Sequence, residues 1–185
     1  TANPALVIMD STKNVSAHFV KIYKPDSLTI VLDKGWNMIS INIVLLDPNI
    51  EKVFSPVIQN LKIVEDYSGR MFIPAQGLNT IGKMNYKEGY KVFMAKADTL
   101  IIIGDFVDPT TPIIVPTKWS MISYLPKVIL SVEQALISIK NPATILKSNE
   151  GLTWIPAYGI NNIDKMQPGK GYQIYLDKID TLSYP

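Results

Sequence analysis

The feature that most constrains this chain is that it repeats itself. Gly69 and Gly151 stand 82 residues apart (151 − 69), and the same offset carries Ile73-Pro74-Ala75 onto Ile155-Pro156-Ala157, Gly77 onto Gly159 and Asn79 onto Asn161. It also carries Lys83-Met84 onto Lys165-Met166, Gly89-Tyr90 onto Gly171-Tyr172, and Asp98-Thr99-Leu100 onto Asp180-Thr181-Leu182. Upstream the offset is 83 (119 − 36), pairing Trp36 with Trp119 and Met38-Ile39-Ser40 with Met121-Ile122-Ser123. A register this long implies two copies of one unit with a single insertion or deletion between its blocks. The boundaries that follow are an N-terminal hairpin over residues 1–24, unit one over 28–104, a linker over 105–112 and unit two over 113–185. The linker (DFVDPTTP) is short and stiffened by proline, so the two units are expected to pack together.

Each unit reads the same way. A β-branched run opens it, Leu28–Leu32 in one and Ile113–Val115 in the other, followed by a turn and a second apolar strand beginning at Trp36 or Trp119. A helix comes next. Asp47 is a plausible N-cap followed by Pro48, and Ser131-Val132-Glu133-Gln134 has capping-box spacing. Pro56 should kink or restart the first helix, and Asn141-Pro142 should end the second. Period two then returns: Lys62–Asp66 and Ala143–Ser148 read as strands, with hairpin turns at Ser68-Gly69 and Glu150-Gly151. The last clear strands, Gly89–Ala95 and Gly171–Leu176, alternate, with Tyr90, Val92 and Met94 opposite Lys91 and Phe93. The expected fold class is α+β, mostly β: two pseudo-symmetric repeats, each a small antiparallel sheet or barrel-like unit with one helix.

Composition removes most chemistry. There is no cysteine, which excludes disulfide frameworks, zinc ribbons and thiol catalysis, and the single histidine, His18, excludes multi-histidine metal sites. His18 alternates with Val20 and Ser16 in the N-terminal hairpin and reads as a strand-surface residue. Eighteen basic against sixteen acidic residues leave no nucleic-acid footprint, and no apolar run approaches the length that spans a bilayer. Glu65-Asp66 is a carboxylate pair, but unit two has Lys147-Ser148 there, and neighbouring strand residues point to opposite faces. Gly169-Lys170-Gly171 lacks the phosphate-loop pattern and leads into a strand. No catalytic residue, cofactor or metal site is expected. Structural calcium is possible at the loop aspartates Asp33, Asp47, Asp105, Asp108 and Asp177, but these read first as turn and cap residues.

Two resemblances add to this. The hairpin made by Ala5–Met9 and Val15–Tyr23 resembles the closing hairpin of a divergent internalin-type B-repeat of secreted bacterial proteins. The pattern Gly35-Trp36-Asn37-Met38-Ile39-Ser40, Met84, Gly89-Tyr90-Lys91-Val92, Thr99-Leu100 resembles a tandem module of bacterial and archaeal secreted and surface proteins. Unit two departs from it at Lys118-Trp119-Ser120. The resemblances imply a segment of a longer, secreted or surface-attached multidomain protein. They imply a binding or attachment role beside neighbouring domains, without membrane insertion.

With catalysis set aside, aromatic surface is the remaining candidate. Sugar recognition uses a flat apolar platform with a few directional polar groups at its rim. Trp36/Trp119 and Tyr90/Tyr172 are matched between units and are expected in the core. The unmatched aromatics are Trp154 (Phe72 in unit one), Tyr158 (Gln76) and Tyr67 (Asn149 in unit two). Trp154, Tyr158, Asn161 and Asn162, with Tyr175 and Tyr67, form the expected contact set for a polysaccharide or cell-surface glycan. The alternative function is a structural spacer or a protein-attachment module, in which Trp154 simply fills the core.

Overall fold

The computed structural model describes residues 24–185. The expected N-terminal hairpin, with His18, lies outside the described residues. The first half contains β1 (Asp26–Leu32), β2 (Gly35–Ser40), β3 (Ile43–Leu45), helix α1 (Ile50–Phe54), β4 (Leu61–Asp66), β5 (Met71–Ile73), β6 (Leu78–Asn79), β7 (Gly89–Met94) and β8 (Asp98–Phe106). The second contains β9 (Ile113–Val115), β10 (Lys118–Ile122), β11 (Leu130–Ser131), helix α2 (Val132–Ala135) and β12 (Ala143–Lys147). It ends with β13 (Thr153–Ile155), β14 (Ile160–Asn161), β15 (Lys165–Met166), β16 (Tyr172–Leu176) and β17 (Asp180–Leu182). The described residues are mostly β, their sheets antiparallel, with two α-helices of a single turn each.

Two five-stranded sheets dominate, ordered β2-β7-β4-β5-β6 and β10-β16-β12-β13-β14. Their registers run in parallel. Ile39 faces Tyr90 and Ile122 faces Tyr172; Val64 faces Phe72 and Leu146 faces Trp154; bulges fall at Leu61/Ile63 and at Ala143/Ile145. Sequence-local chemistry sets the turns. Gly77 and Gly159 close 3-10 turns opened by Pro74 and Pro156, at φ 62° and 64°, a left-handed backbone that glycine adopts without steric cost. Asn79 donates to Glu51 Oε1 (2.9 Å) and accepts from Gly82 N–H (2.8 Å). Asn161 does the same with Glu133 (2.8 Å) and Asp164 N–H (2.9 Å).

The helices are shorter than the sequence periodicity suggests. Asn49, not Asp47, caps α1, accepting from Glu51 N–H, while the Asp47 carboxylate accepts from Asn49 N–H (3.0 Å). Pro56 restarts the segment as a 3-10 turn, Ser55–Val57, because it has no N–H to continue the α ladder. The expected capping box at Ser131 and Gln134 is present. The expected linker begins inside a strand: Asp105 and Phe106 end β8, which β3 joins as a third strand, Ile43 pairing Phe106.

Each half has its own apolar core. Ile30, Leu32, Ile43, Phe54, Val64 and Tyr90 centre the first, and Val115, Tyr124, Leu136, Leu146, Ile174 and Tyr184 the second; Tyr86 packs against both. Between them runs a reciprocal seam. Ile39 bridges Lys170, and Glu88 bridges Ile122. Since Ile122 is the offset partner of Ile39 and Lys170 that of Glu88, each half supplies the isoleucine to one bridge and its position 88 or 170 to the other. Gly171 donates to Met38 O (3.0 Å), Ser40 donates through N to Gly169 O (3.1 Å) and through Oγ to Lys170 O (2.6 Å), and Tyr124 N–H donates back to Ser40 Oγ (3.0 Å).

Candidate functional site

The seam leaves a groove on one side. One hollow of about 190 Å³ lies between Tyr67, Asn85, Lys87 and Glu88 of the first half and Ile113–Pro116 and Ser120–Ile122 of the second. A smaller one, about 90 Å³, is lined by Glu65, Asp66, Tyr67, Lys91, Trp119, Ser120, Met121 and Gln173. They share Tyr67, Ser120 and Met121, so the two lie side by side along the groove.

Its aromatic walls are free. Tyr67 is 48% exposed and Trp119 is 42% exposed. Trp119 leaves β10 on the outer face, where Tyr175 of β16 meets it edge-on (centroids 5.4 Å, 77°) and Lys147 Nζ stands 5.0 Å from its ring centre. Trp36 is 49% exposed and packs on Phe93 likewise (5.1 Å, 61°). The expectation that these matched tryptophans are core therefore fails. Strand β2 buries Asn37 and points Trp36 outward, because Asn37 folds back on its own turn: it accepts from Asp33 N–H (2.8 Å) and donates to Asp33 O (2.8 Å) and Gly35 O (3.1 Å).

In unit two that arrangement changes. Lys118, at φ 70°, replaces Gly35, and Ser120 replaces Asn37. A serine side chain is too short to span the turn. Its hydroxyl is buried without a hydrogen-bond partner, on a residue 5% exposed that helps to line both hollows. A second unmet group sits opposite. Asp66 is fully engaged, Oδ1 accepting from Ser68 N–H (2.9 Å), Ser68 Oγ (2.8 Å) and Arg70 N–H (3.0 Å), and Oδ2 from Arg70 Nε (2.5 Å). The Asp66 carboxylate in turn holds the Arg70 guanidinium above its ordinary pKa. Glu88 uses Oε1 to accept from Asn85 (3.1 Å), but its buried Oε2 has only Arg70 at 3.7 Å, without a hydrogen bond. The groove thus offers two exposed aromatic walls and an apolar floor at Met121 and Ile122, with the buried polar atoms Ser120 Oγ and Glu88 Oε2 close behind its lining.

The residues singled out from sequence scatter. Trp154 is 3% exposed, inside the second core at the position of Phe72, and cannot present a ring face. Tyr158 is 80% exposed on its 3-10 turn, so these two do not form one platform. Asn161 spends its amide within the turn, on Glu133 and Asp164; Asn162 is exposed beside it. Tyr175 supports Trp119 from the side, and Tyr67 stands in the groove itself. Sequence reasoning missed Trp119, Ser120, Glu88, Lys91 and Gln173. The signal available was the departure of Lys118-Trp119-Ser120 from Gly35-Trp36-Asn37.

Of the loop aspartates, Asp33 serves its turn through the backbone, and Asp108 accepts from Thr110 N–H (2.9 Å) and Oγ1 (2.7 Å), which hold its carboxyl below the usual range. Among the described residues no three His, Asp or Glu side chains come together as a metal ligand set, and no helix is long and apolar enough to cross a membrane. No protein-family model, no curated protein and no solved structure matches this chain.

Proposed function

We propose that this chain is a non-catalytic binding module of a secreted or cell-surface protein, and that it holds a polysaccharide in the groove between its halves. The observation that carries this is the pair of exposed rings, Tyr67 and Trp119, on the walls of hollows that lie between the halves. A sugar supplies C–H faces to lie on such rings and hydroxyls for the polar groups at their rim, here Lys91, Gln173 and Glu65.

The module is, in this reading, a duplication: pseudo-symmetric units over 28–104 and 113–185, the linker partly absorbed into β8. The parallel registers, the matched Asn79 and Asn161 turns and the reciprocal seam support it. Glycan binding by a module appended to a secreted glycan-active enzyme would act by raising local concentration on an insoluble substrate. The test is retention of the purified chain on insoluble plant, algal and microbial polysaccharides. Trp119→Ala and Tyr67→Ala should elute early with melting temperatures near wild type. Retention of the wild type by none of the polysaccharides, or unaltered retention of both variants, overturns the proposal.

The spacer or attachment reading is favoured by a different face. Val31, Val44, Ile101 and Ile103 project from the β1-β8-β3 sheet, each about half exposed or more. A contiguous apolar patch of this kind suits a protein neighbour.

A further inference from the structure

A third hollow, about 180 Å³, is lined by residues of the second half. In unit one the Arg70 side chain lies between Asp66 (2.5 Å) and Glu88 (3.7 Å), so two acids enclose a guanidinium. At the offset positions unit two carries Ser148 for Asp66, Leu152 for Arg70 and Lys170 for Glu88. The guanidinium is gone and both of its acids with it. What remains is a cavity whose polar lining is mainly donors. Against the cost of burial, Ser148, 7% exposed, and Lys170 both act on the Glu150 carboxylate and hold it below its ordinary pKa. Tyr172 OH already accepts from Gln167 N–H (3.0 Å), which leaves its proton to give. Lys165 and Lys170 add ammonium groups, the latter 3.8 Å from Glu150, the single carboxylate on the wall.

We propose that this cavity is an oxyanion site, taking a carboxylate or sulfate group of a small ligand or glycan substituent between Ser148, Tyr172 and Lys170. The swap of residues reverses the polarity of the unit-one constellation: acids around a half-exposed guanidinium become hydroxyl and ammonium donors around one carboxylate, Glu150. An incoming oxyanion takes the place of Glu150 at the Ser148 hydroxyl and at Lys170 through shorter, charge-assisted contacts. The inference does not depend on the groove, which lies across the seam.

The test is a titration of the full chain with sodium glucuronate, sodium sulfate and neutral glucose, followed by amide NMR shifts of Lys170, Gly171 and Tyr172. Saturable shifts with glucuronate or sulfate but not glucose are expected. Glucuronate alone assigns a carboxylate, sulfate alone a sulfate ester, and both a general oxyanion site. The combined variant Ser148→Asp, Leu152→Arg, Lys170→Glu restores the unit-one acids and guanidinium and should lose the shifts. Lys170→Gln, which keeps the backbone of the seam, should weaken binding by about tenfold or more. Absence of saturable shifts with both anions, equal shifts with glucose, or unaltered affinity in Lys170→Gln overturns the proposal.

Discussion

Replacing Gly171 by alanine tests whether the two halves are held as one body. A Cβ at this position would stand 2.5 Å from Ile39 O, 2.9 Å from its carbonyl carbon and 3.1 Å from its nitrogen. All three are backbone atoms of a paired strand, so no side chain can swing aside. Relief requires β2 and β16 to separate, which strains the bond from Gly171 N–H to Met38 O and its neighbours from Ser40 to Gly169 and Lys170. An overpacked methyl costs about 1–3 kcal/mol, and each hydrogen bond weakened adds about 1. The expected loss is about 3–5 kcal/mol, which in a chain of 185 residues lowers the melting temperature on the order of 10 °C. Gly89→Ala meets Ile122 O at 3.0 Å, so it should cost less, about 1–2 kcal/mol. Urea unfolding followed by circular dichroism measures both. Should Gly171→Ala unfold within about 0.5 kcal/mol of wild type, or should Gly89→Ala be the more damaging, the seam does not bear on stability as argued.

Other outcomes follow from single contacts. Trp154→Ala should cost about 3–5 kcal/mol in thermal unfolding, as for a large buried aromatic, while Tyr158→Ala should stay within about 0.5 kcal/mol. Asp66→Ala should destabilise by about 2–4 kcal/mol in urea, because the turn N–H groups of Ser68 and Arg70 lose their common acceptor. Burial raises the Tyr172 phenol from 10.0 to about 12 and pushes Tyr90, Tyr124 and Tyr184 up as well. The folded state therefore keeps protons that the unfolded chain has lost, so stability is whole below about pH 10 and falls as pH rises from there through 12. Urea midpoints measured across that range should decline steadily; a flat profile refutes the burial of these hydroxyls.

Much of the architecture was legible because local chemistry dictates it. Gly77 and Gly159 sit at positive φ, Ser131 and Gln134 form their capping box, and β1 alternates buried Leu28, Ile30 and Leu32 with exposed neighbours. The site was not legible, for a physical reason. In β2 and β10 the apolar residues fall on both faces: Ile39 and Ile122 enter the cores, while Met38 and Met121 are covered near the seam. Period two is erased where both faces are buried, so the phase of Trp36 and Trp119 could not be read from alternation. The groove itself joins Tyr67 to Ser120 and Lys91 to Trp119, residues from different halves with no motif between them. Identity at offset positions predicted burial for Tyr90 and Tyr172, 0% and 3% exposed, but not for Trp36 and Trp119, which stand on the outside.

The reciprocity of the seam has a consequence for descent. Ile39 meets the partner of Glu88, and Ile122 meets Glu88 itself, so either half carries a complete lock and key. Such a surface is self-complementary, as in an isologous dimer. A lone ancestral unit with this edge would already have matched its own twin. Joining two genes end to end would then have tethered an association that existed beforehand. On the proposed duplication, two tethered copies need not remain alike, and Ser120 and Leu152 stand at positions where the second half differs from Asn37 and Arg70 of the first.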